Sequence, residues 1–332
     1  MFIFETPKFD KCSLLYCLWL SGSVDHFDMR SRNTEDHLTP EGVPGDKSGY
    51  GEKSAVIFST IDDDTRVIPA VEFRNVNFAY DHQIVLDDIS FRVMRGELLI
   101  VLSPSGGGKS SILKLALGLM KPDEGRILID GEDITDYDEE ALNRVRQRIG
   151  VGFQEGALFD SLSVYDNVAF RCHERGVPEA IVEQEVRRLL RFVDLEDAID
   201  MMPAQLSGGM RVRVGIARAL AGKPRTLLMD EPTGGLDPPT AWSVCELGIR
   251  LRDLRDVSAV LVTHGIEYVR FIASTYAGYG PNGEVMLIEE KDRLCLINTK
   301  IMMLREGRII FNGSDEELFR SDDTYIRKFL LL

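Results

Sequence analysis

Several short motifs in this 332-residue chain combine residue types that bind and cleave phosphate groups. The first is a glycine-rich segment at 103–110 that ends in Lys109 and Ser110. Backbone N–H groups of such a loop converge on a phosphate, while the lysine neutralises the β and γ oxygens of a triphosphate and the hydroxyl binds Mg²⁺. The candidate nucleotide-binding residues of this segment are Ser103, Pro104, Ser105, Gly106, Gly107, Gly108, Lys109, Ser110 and Ser111.

Ser103 departs from the pattern G-x-x-x-x-G-K-[ST], which has glycine at its first position. Glycine is favoured there for its backbone freedom, so we expect Ser103 to affect the shape of the loop's first turn. The three glycines that follow still allow a phosphate to approach the backbone. A glycine-rich turn without a ligand is the alternative, but a buried strand before the loop and a helical pattern after it argue against that alternative.

An acidic pair, Asp230 and Glu231, ends the apolar run that begins at Thr226. Acidic pairs usually lie on solvated faces, and a pair alone carries little information. At the end of a buried strand, where α/β proteins place their ligands, the pair indicates a site. Gln154 and His264 are uninformative by themselves, and a single histidine is more often structural than functional.

A further motif, Leu206-Ser207-Gly208-Gly209, precedes a helical pattern. Small residues with free N–H groups at a helix start form an anion site. A simple serine cap accounts for Ser207 but not for the two glycines that follow.

The elements that position these motifs alternate between strands and helices. Two runs, 71–80 and 85–93, alternate apolar and polar residues as half-buried strands do. Continuous apolar runs predict strands buried on both faces, which are typical of a parallel sheet. These buried strands are Leu98–Leu102, Thr226–Asp230 and Ala259–Thr263. Helices are predicted after Lys109 as far as Lys121-Pro122, at 179–193, at 239–255 and, at the C-terminus, at 315–332.

The pattern therefore predicts an α/β fold with a parallel core sheet in residues 67–332. The segment 149–225 is mostly helical by pattern, and we place a helical subdomain at about 155–225. Short strands are predicted at 284–289, 293–298, 300–305 and 308–312, so that an extra β segment covers about 276–298.

Composition restricts the function classes. A formal net charge of −15 argues against a nucleic-acid partner, because binding phosphate backbones requires clustered Lys and Arg. The five cysteines show no CxxC or metal-ligand spacing, and this favours reduced thiols and a cytoplasmic location.

Residues 1–66 have a different character. The stretch 25–65 is rich in Asp, Glu, Gly, Ser and Thr without periodicity, which predicts a disordered extension. The apolar stretch 12–24 is shorter than the ~20 residues of a membrane-spanning helix. Acidic Glu5 and Asp10 argue against a secretory signal there. An amphipathic extension, or translation that begins at Met29, are the alternatives.

The motifs together resemble the ATPase subunit of ABC transporters, and their order along residues 70–330 is that of the family. The resemblance implies an ABC-type P-loop NTPase with a mostly parallel core sheet, an antiparallel β subdomain and an inserted α-helical subdomain. It implies ATP and Mg²⁺ as cofactors and ATP hydrolysis as the reaction. Transfer of a phosphoryl group to water depends on positioning and on stabilising charge.

The same resemblance assigns individual roles. Asp230 binds Mg²⁺ through water, and Glu231 polarises the attacking water. Gln154 matches the family's Q-loop, which contacts the metal and the water beside the membrane subunit, and His264 contacts the γ-phosphate. The usual acidic residue after this histidine is Gly265 here.

Further roles concern the adenine and the dimer. Tyr80 matches the aromatic that stacks on adenine, although an aromatic at a strand end is commonly part of the core. Ser207, Gly208 and Gly209 match the motif that binds the γ-phosphate of an ATP held mainly by the other subunit. Two copies therefore meet head to tail, with Asp237 in the loop between the two sites.

Two strings narrow the subfamily: 153–169 and 202–210 are similar to ATPases of the Mla type, including Met210 where many ABC proteins have glutamine. Those ATPases power movement of phospholipid or other hydrophobic substrates. The resemblance implies a membrane permease, an MCE-domain substrate-binding protein and a position on the cytoplasmic face of the inner membrane. An ABC ATPase for another substrate, a non-transport ABC ATPase and an inactive regulatory cassette are the alternatives. The last conflicts with the retained Lys109, Glu231 and His264.

Overall fold

The computed structural model describes residues 68–104, 106–255, 257–280, 284–289 and 298–331, with the side chains of Arg255 and Glu289 excepted. The predicted disordered extension at 1–66 lies outside the described residues, as does Ser105 and nearly all of the strand predicted at 293–298. Among the described residues, no helix combines the length and apolarity needed to span a bilayer.

An antiparallel sheet of four strands begins the described chain, with strand order β2-β1-β4-β5. Alternation in the first two strands buries one face of this sheet, as Phe73 and Phe91 stack on each other there at 4.7 Å. The strands are β1 (Val71–Tyr80), β2 (Gln83–Val93), β4 (Glu124–Ile129) and β5 (Glu132–Asp133).

The core sheet has six strands in the order β12-β11-β3-β8-β7-β6, and every neighbouring pair is parallel except β11 with β12. These strands are β3 (Leu98–Leu102), β6 (Ile149–Gly152), β7 (Thr226–Asp230), β8 (Ser258–Thr263), β11 (Thr299–Arg305) and β12 (Arg308–Gly313). A separate hairpin pairs β9 (Thr275–Tyr279) with β10 (Val285–Glu289). The expected mostly parallel α/β core and antiparallel subdomain are confirmed.

Helices cover both faces of the core sheet. They are α1 (Lys109–Ala116), α2 (Glu139–Arg146), α3 (Val164–Glu174), α4 (Glu179–Phe192), α5 (Gly208–Leu220), α6 (Pro238–Arg255), α7 (Ile266–Ser274), α8 (Asp315–Phe319) and α9 (Thr324–Leu330).

Strand β3 shows how one strand serves two cores. Leu98, Ile100 and Leu102 pack in the apolar cluster that contains α3, α4 and α5. Leu99 and Val101 point the other way, into the cluster formed with α1 and the antiparallel sheet. Because successive side chains of a strand alternate between faces, a continuous apolar run is what this two-sided burial requires.

Two predicted helices end differently in the structure. Helix α1 ends at Ala116 rather than near Lys121, because Gly118 takes a left-handed conformation (φ +62°) that terminates the helix. The prediction of a single C-terminal helix at 315–332 is wrong. It is divided into α8 and α9 because the Asp323 carboxylate accepts hydrogen bonds from the N–H groups of Tyr325 and Ile326 and so caps a new helix.

Arg252 on α6 fixes the hairpin to the core. Its buried guanidinium donates to the carbonyl oxygens of Ile272 and Thr275 at 2.8 and 2.7 Å, and to the Thr299 hydroxyl at 3.0 Å. Thr275 is the first residue of β9, and Thr299 is the first residue of β11. One side chain therefore holds the start of the hairpin and the point at which the described chain rejoins the core sheet.

Candidate active site

The glycine-rich loop connects the end of β3 to the start of α1. Gly108 precedes the helix with φ +92°, and a Cβ there would lie 2.8 Å from Leu86 Cδ2. Only glycine fits both the conformation and the space. Lys109 Nζ donates to the carbonyl oxygens of Ser103 and Pro104 at 2.7 and 3.1 Å, so the lysine side chain spans the loop.

Ser103 is accommodated by an unexpected neighbour. Its side chain is fully buried, and its hydroxyl donates to the carbonyl oxygen of Pro104 at 3.0 Å. A Cβ on Gly107 would lie only 1.7 Å from Ser103 Oγ. The backbone of Ser103 does not take a positive φ, so glycine is not required at 103 for conformational reasons. The serine hydroxyl instead uses the space that glycine leaves free at 107.

The acidic pair lies at the carboxyl end of strand β7, on the same side of the core sheet as the glycine-rich loop. The Ser110 hydroxyl donates to Asp230 Oδ1 at 3.2 Å. Burial raises the pKa of the Asp230 carboxyl, a shift that the Ser110 hydrogen bond opposes and the charge of Glu231 reinforces. A buried carboxylate that gains a positive counter-charge becomes more stable in its ionised form.

The donor set at this point fits Mg²⁺. Ser110 Oγ and Asp230 Oδ1 are hard oxygen ligands at the mouth of the phosphate loop, and Mg²⁺ is held by a few such ligands together with waters and phosphate oxygens. Among the described residues no cluster of three or more His, Cys, Asp or Glu side chains could hold a metal. A site of this kind needs none.

Glu231 lies between the phosphate-loop lysine and the candidate histidine. Its Oε1 is 3.4 Å from Lys109 Nζ, and its Oε2 is 2.9 Å from His264 Nδ1 and 3.2 Å from the His264 backbone N. The Glu231 backbone has φ +47°, a conformation uncommon for residues other than glycine. Parallel strands β3, β7 and β8 are adjacent, so their carboxyl ends bring Lys109, Glu231 and His264 together.

Gln154 follows β6 and is exposed against the loop after Glu231. A Cβ on Gly234 would lie 2.7 Å from Gln154 Nε2, so the glutamine side chain covers this glycine. The segment after Gln154 is held to α5 by Arg218, whose buried guanidinium donates to the carbonyl oxygen of Gly156 at 2.9 Å.

Asn167, also buried, completes the support of this segment. Its amide donates to the carbonyl oxygens of Phe159, Leu162 and Ser163, and its oxygen accepts the Phe159 N–H at 2.8 Å. Sequence reasoning missed Asn167 and Arg218. A charged residue inside the apolar pattern of α5 was the available signal for Arg218.

Ser207 and Gly209 lie where α5 begins, against the start of α6. Ser207 caps α5 by accepting the Met210 N–H at 3.2 Å. A Cβ on Gly209 would lie 2.0 Å from Thr240 Cγ2, so this glycine packs directly on the start of α6. Among the described residues, no hydrogen bond or ion pair links 207–209 to 103–110.

Asp237 and Tyr80 have local partners. Asp237 accepts the Thr240 hydroxyl at 2.7 Å and the Thr240 N–H at 3.2 Å, and these bonds lower the pKa of its carboxyl. Tyr80 is exposed at the end of β1, packs edge-on against Phe78 at 4.8 Å and points its hydroxyl at Met120 Sδ, 2.8 Å away. Ser111 is buried on α1.

Comparisons with known proteins agree with this geometry. The family model described as ABC transporter matches residues 86–234. The intermembrane phospholipid transport system ATP-binding protein MlaF of Haemophilus influenzae is 33% identical over 261 residues, which cover 78% of this chain and 89% of that relative. The methionine import ATP-binding protein MetN of Brucella abortus is 40% identical over 205 residues. That match covers 62% of this chain, which spans only 56% of the MetN relative.

Two solved structures are similar in fold. CbiO1 of Clostridium perfringens, part of the ABC transporter complex cbiONQ, matches 80% of this chain and 95% of its own with a TM-score of 0.65 and 28% identity. The cassette MJ0796, a dimer in a post-hydrolysis state bound to ADP and Pi, matches 74% of this chain and 98% of its own with a TM-score of 0.61 and 28% identity.

Proposed function

We propose a function of the Mla type from the premise that the chain belongs to the ABC transporter family and is an ABC-type ATPase. In this proposal it couples ATP hydrolysis to the movement of phospholipids or other hydrophobic molecules by a membrane permease. The observation that carries the substrate class is the alignment with MlaF, which extends over 89% of that relative. The alignment with MetN covers little more than half of the MetN sequence.

The residues of the site divide the reaction among them. Lys109 and the N–H groups of the phosphate loop bind the phosphates of ATP, and the exposed ring of Tyr80 stacks on the adenine. Ser110, Asp230 and Gln154 would hold Mg²⁺, whose positive charge would neutralise the phosphate oxygens. Glu231 accepts a hydrogen bond from the attacking water and orients it.

His264 keeps Glu231 in position. Its backbone N–H and Nδ1 both contact Glu231 Oε2, which leaves Oε1 facing Lys109 and the phosphate side. Among the described residues, Ser207–Gly209 make no hydrogen bond or ion pair with the phosphate loop of their own chain, and this supports a dimer in which each chain completes its partner's site. A head-to-tail pair would bring the small residues at the start of α5 to the γ-phosphate of the partner's ATP, with Asp237 between the sites.

The role of Glu231 is tested by Glu231→Gln, which preserves the shape of the side chain. We expect ATP binding to persist, turnover to fall by about 10²–10⁴ and a dimer to accumulate with ATP. Turnover is measured by phosphate release and the dimer by analytical ultracentrifugation. Glu183→Gln on α4 removes the same charge from an exposed site and serves as the control. Turnover of the Glu231 variant close to that of the control contradicts the assigned role.

The substrate class is tested with the assembled complex on the cytoplasmic face of the inner membrane. The neighbouring genes are examined for a permease and an MCE-domain protein, and the complex is purified in detergent so that phospholipid can be added or omitted. We expect phospholipid to stimulate its ATPase activity. Methionine import is the second candidate because MetN relatives reach 40% identity over 205 residues. Stimulation by methionine and its binding protein, with no response to phospholipid, overturns the Mla-type proposal in favour of this one.

A further inference from the structure

A polar cavity of about 620 Å³ lies at the amino-terminal ends of the core strands, and the candidate active site lies at their carboxyl ends. Its wall includes Val257 and Ser258, where β8 begins, and Arg225, which immediately precedes β7. The nucleotide motifs follow the other ends of these strands. Five-residue strands such as β7 are about 16 Å long, so the cavity is separate from the ATP site.

Positive charge dominates the cavity although the whole chain is acidic. Four cationic and two anionic side chains line it, which gives a formal charge of +2 in a chain with a net charge of −15. Glu185 and Arg188 bind each other at 2.7 Å, so this pair is internally neutral. The remaining cationic groups are Arg95, Lys223 and Arg225.

These three groups retain donors for a ligand. Among the described residues, the side chains of Arg95, Lys223 and Arg225 make no hydrogen bond. Arg95 and Arg225 lie 3.6 and 3.9 Å from the carboxylate of Asp130, distances of ion pairs rather than of hydrogen bonds. Arginine donors arranged in this way match the oxygens of a phosphate group.

Asp130 is a second, independent sign of a ligand. Its side chain is only 5% exposed, yet neither carboxylate oxygen has a hydrogen-bond partner within the described structure. Arg148, the third guanidinium near Asp130, is 3.7 Å away and binds Glu132 instead. Buried polar groups are almost always hydrogen-bonded, so these oxygens can accept from a donor that the described residues, whose guanidinium groups stay at ion-pair distance, do not supply.

We propose that the cavity binds a small phosphorylated molecule that also carries hydroxyl or amino groups. Its phosphate dianion offsets the +2 charge through Arg95, Arg225 and Lys223, and a hydroxyl or amine donates to Asp130. The volume is within the range of small-molecule sites and far exceeds that of inorganic phosphate. Leu220, the last residue of α5, also lines the cavity. The ligand therefore contacts the C-terminal end of α5, the helix that Ser207 caps at its N-terminal end.

Ribose 5-phosphate is a suitable probe, measured by isothermal titration calorimetry on the full chain with ADP saturating the nucleotide site. We expect one saturable site, and affinity lower by at least about tenfold in the double variant Arg95→Ala/Arg225→Ala. Both arginines are more than half exposed, so the variant retains its fold, which thermal unfolding verifies. Arg327→Ala/Lys328→Ala removes the same charge from α9 and is expected to leave binding unchanged.

Asp130→Asn separates this proposal from simple attraction of anions. Asparagine tolerates the positive φ of residue 130, and the change removes the negative charge that strengthens the hydrogen bond from the ligand's hydroxyl. We expect the preference for ribose 5-phosphate over inorganic phosphate to fall in this variant. Absence of saturable binding, equal binding by the Arg95/Arg225 variant, or wild-type affinity for inorganic phosphate equal to that for ribose 5-phosphate each overturns the proposal. None of these measurements depends on ATP turnover.

Discussion

The contact between Ser103 and position 107 allows a sharp test of how the phosphate loop is built. In Gly107→Ala the new methyl group would lie 1.7 Å from Ser103 Oγ, so the hydroxyl has to move by more than 1 Å. Ser103 is fully buried and its hydroxyl bonds to Pro104 O, so this movement breaks the hydrogen bond inside a packed region. Overpacking costs about 1–3 kcal/mol. The lost hydrogen bond adds about 1 kcal/mol.

The expected loss of unfolding free energy is therefore about 2–4 kcal/mol. Urea unfolding without nucleotide measures it, so that effects on ATP binding do not enter. Ser103→Gly removes the obstacle, and Gly107→Ala in that background should cost less than about 1 kcal/mol. The control Gly248→Ala on α6 introduces a methyl group with nothing within 4 Å. If Gly107→Ala costs the same in both backgrounds, steric exclusion by Ser103 is not the reason for glycine at 107.

Three further changes test the site and its support. Burial raises the pKa of Asp230, so its contribution to stability is present at acid pH and is lost as the pH rises through the pKa of the folded protein. Asp230→Asn should therefore stabilise the Mg²⁺-free protein at pH 7 but not at pH 4, as measured by urea unfolding. Asn167→Ala removes the four hydrogen bonds that this buried side chain makes with the backbone of Phe159, Leu162 and Ser163 and should cost about 2–3 kcal/mol, whereas exposed Asn312→Ala should cost almost nothing. Lys109→Ala should weaken ATP binding by at least about tenfold in a fluorescent-nucleotide assay, and unchanged affinity would show that Lys109 does not bind the phosphates.

Much of the site could be predicted because the order of the parallel strands determines which residues meet at their carboxyl ends. The apolar runs 98–102 and 226–230 are strands with the predicted bounds, since burial on both faces leaves little room for polar residues. Once adjacent strands are parallel, their carboxyl ends meet, and the contacts of Lys109 and His264 with Glu231 follow from that topology.

Other features depend on contacts that no local pattern records. Strand β4 begins with Glu124, Gly125 and Arg126, so its apolar run is only the three residues 127–129, too short to predict the strand from the sequence. The position of Ser103 depends on the absence of a side chain four residues later. The surroundings of Asp130 depend on arginines from three distant segments. Such arrangements arise from tertiary packing rather than from propensity.

The attachment of the β9–β10 hairpin has a consequence for how this chain can diversify. Because Arg252 holds Thr275 and Thr299 with one guanidinium, these two residues, which begin β9 and β11, are fixed beside each other. Lengthening a surface loop between fixed ends costs little free energy. The length and surface residues of the hairpin can therefore change while β3, the strand before the phosphate loop, keeps its neighbours β11 and β8.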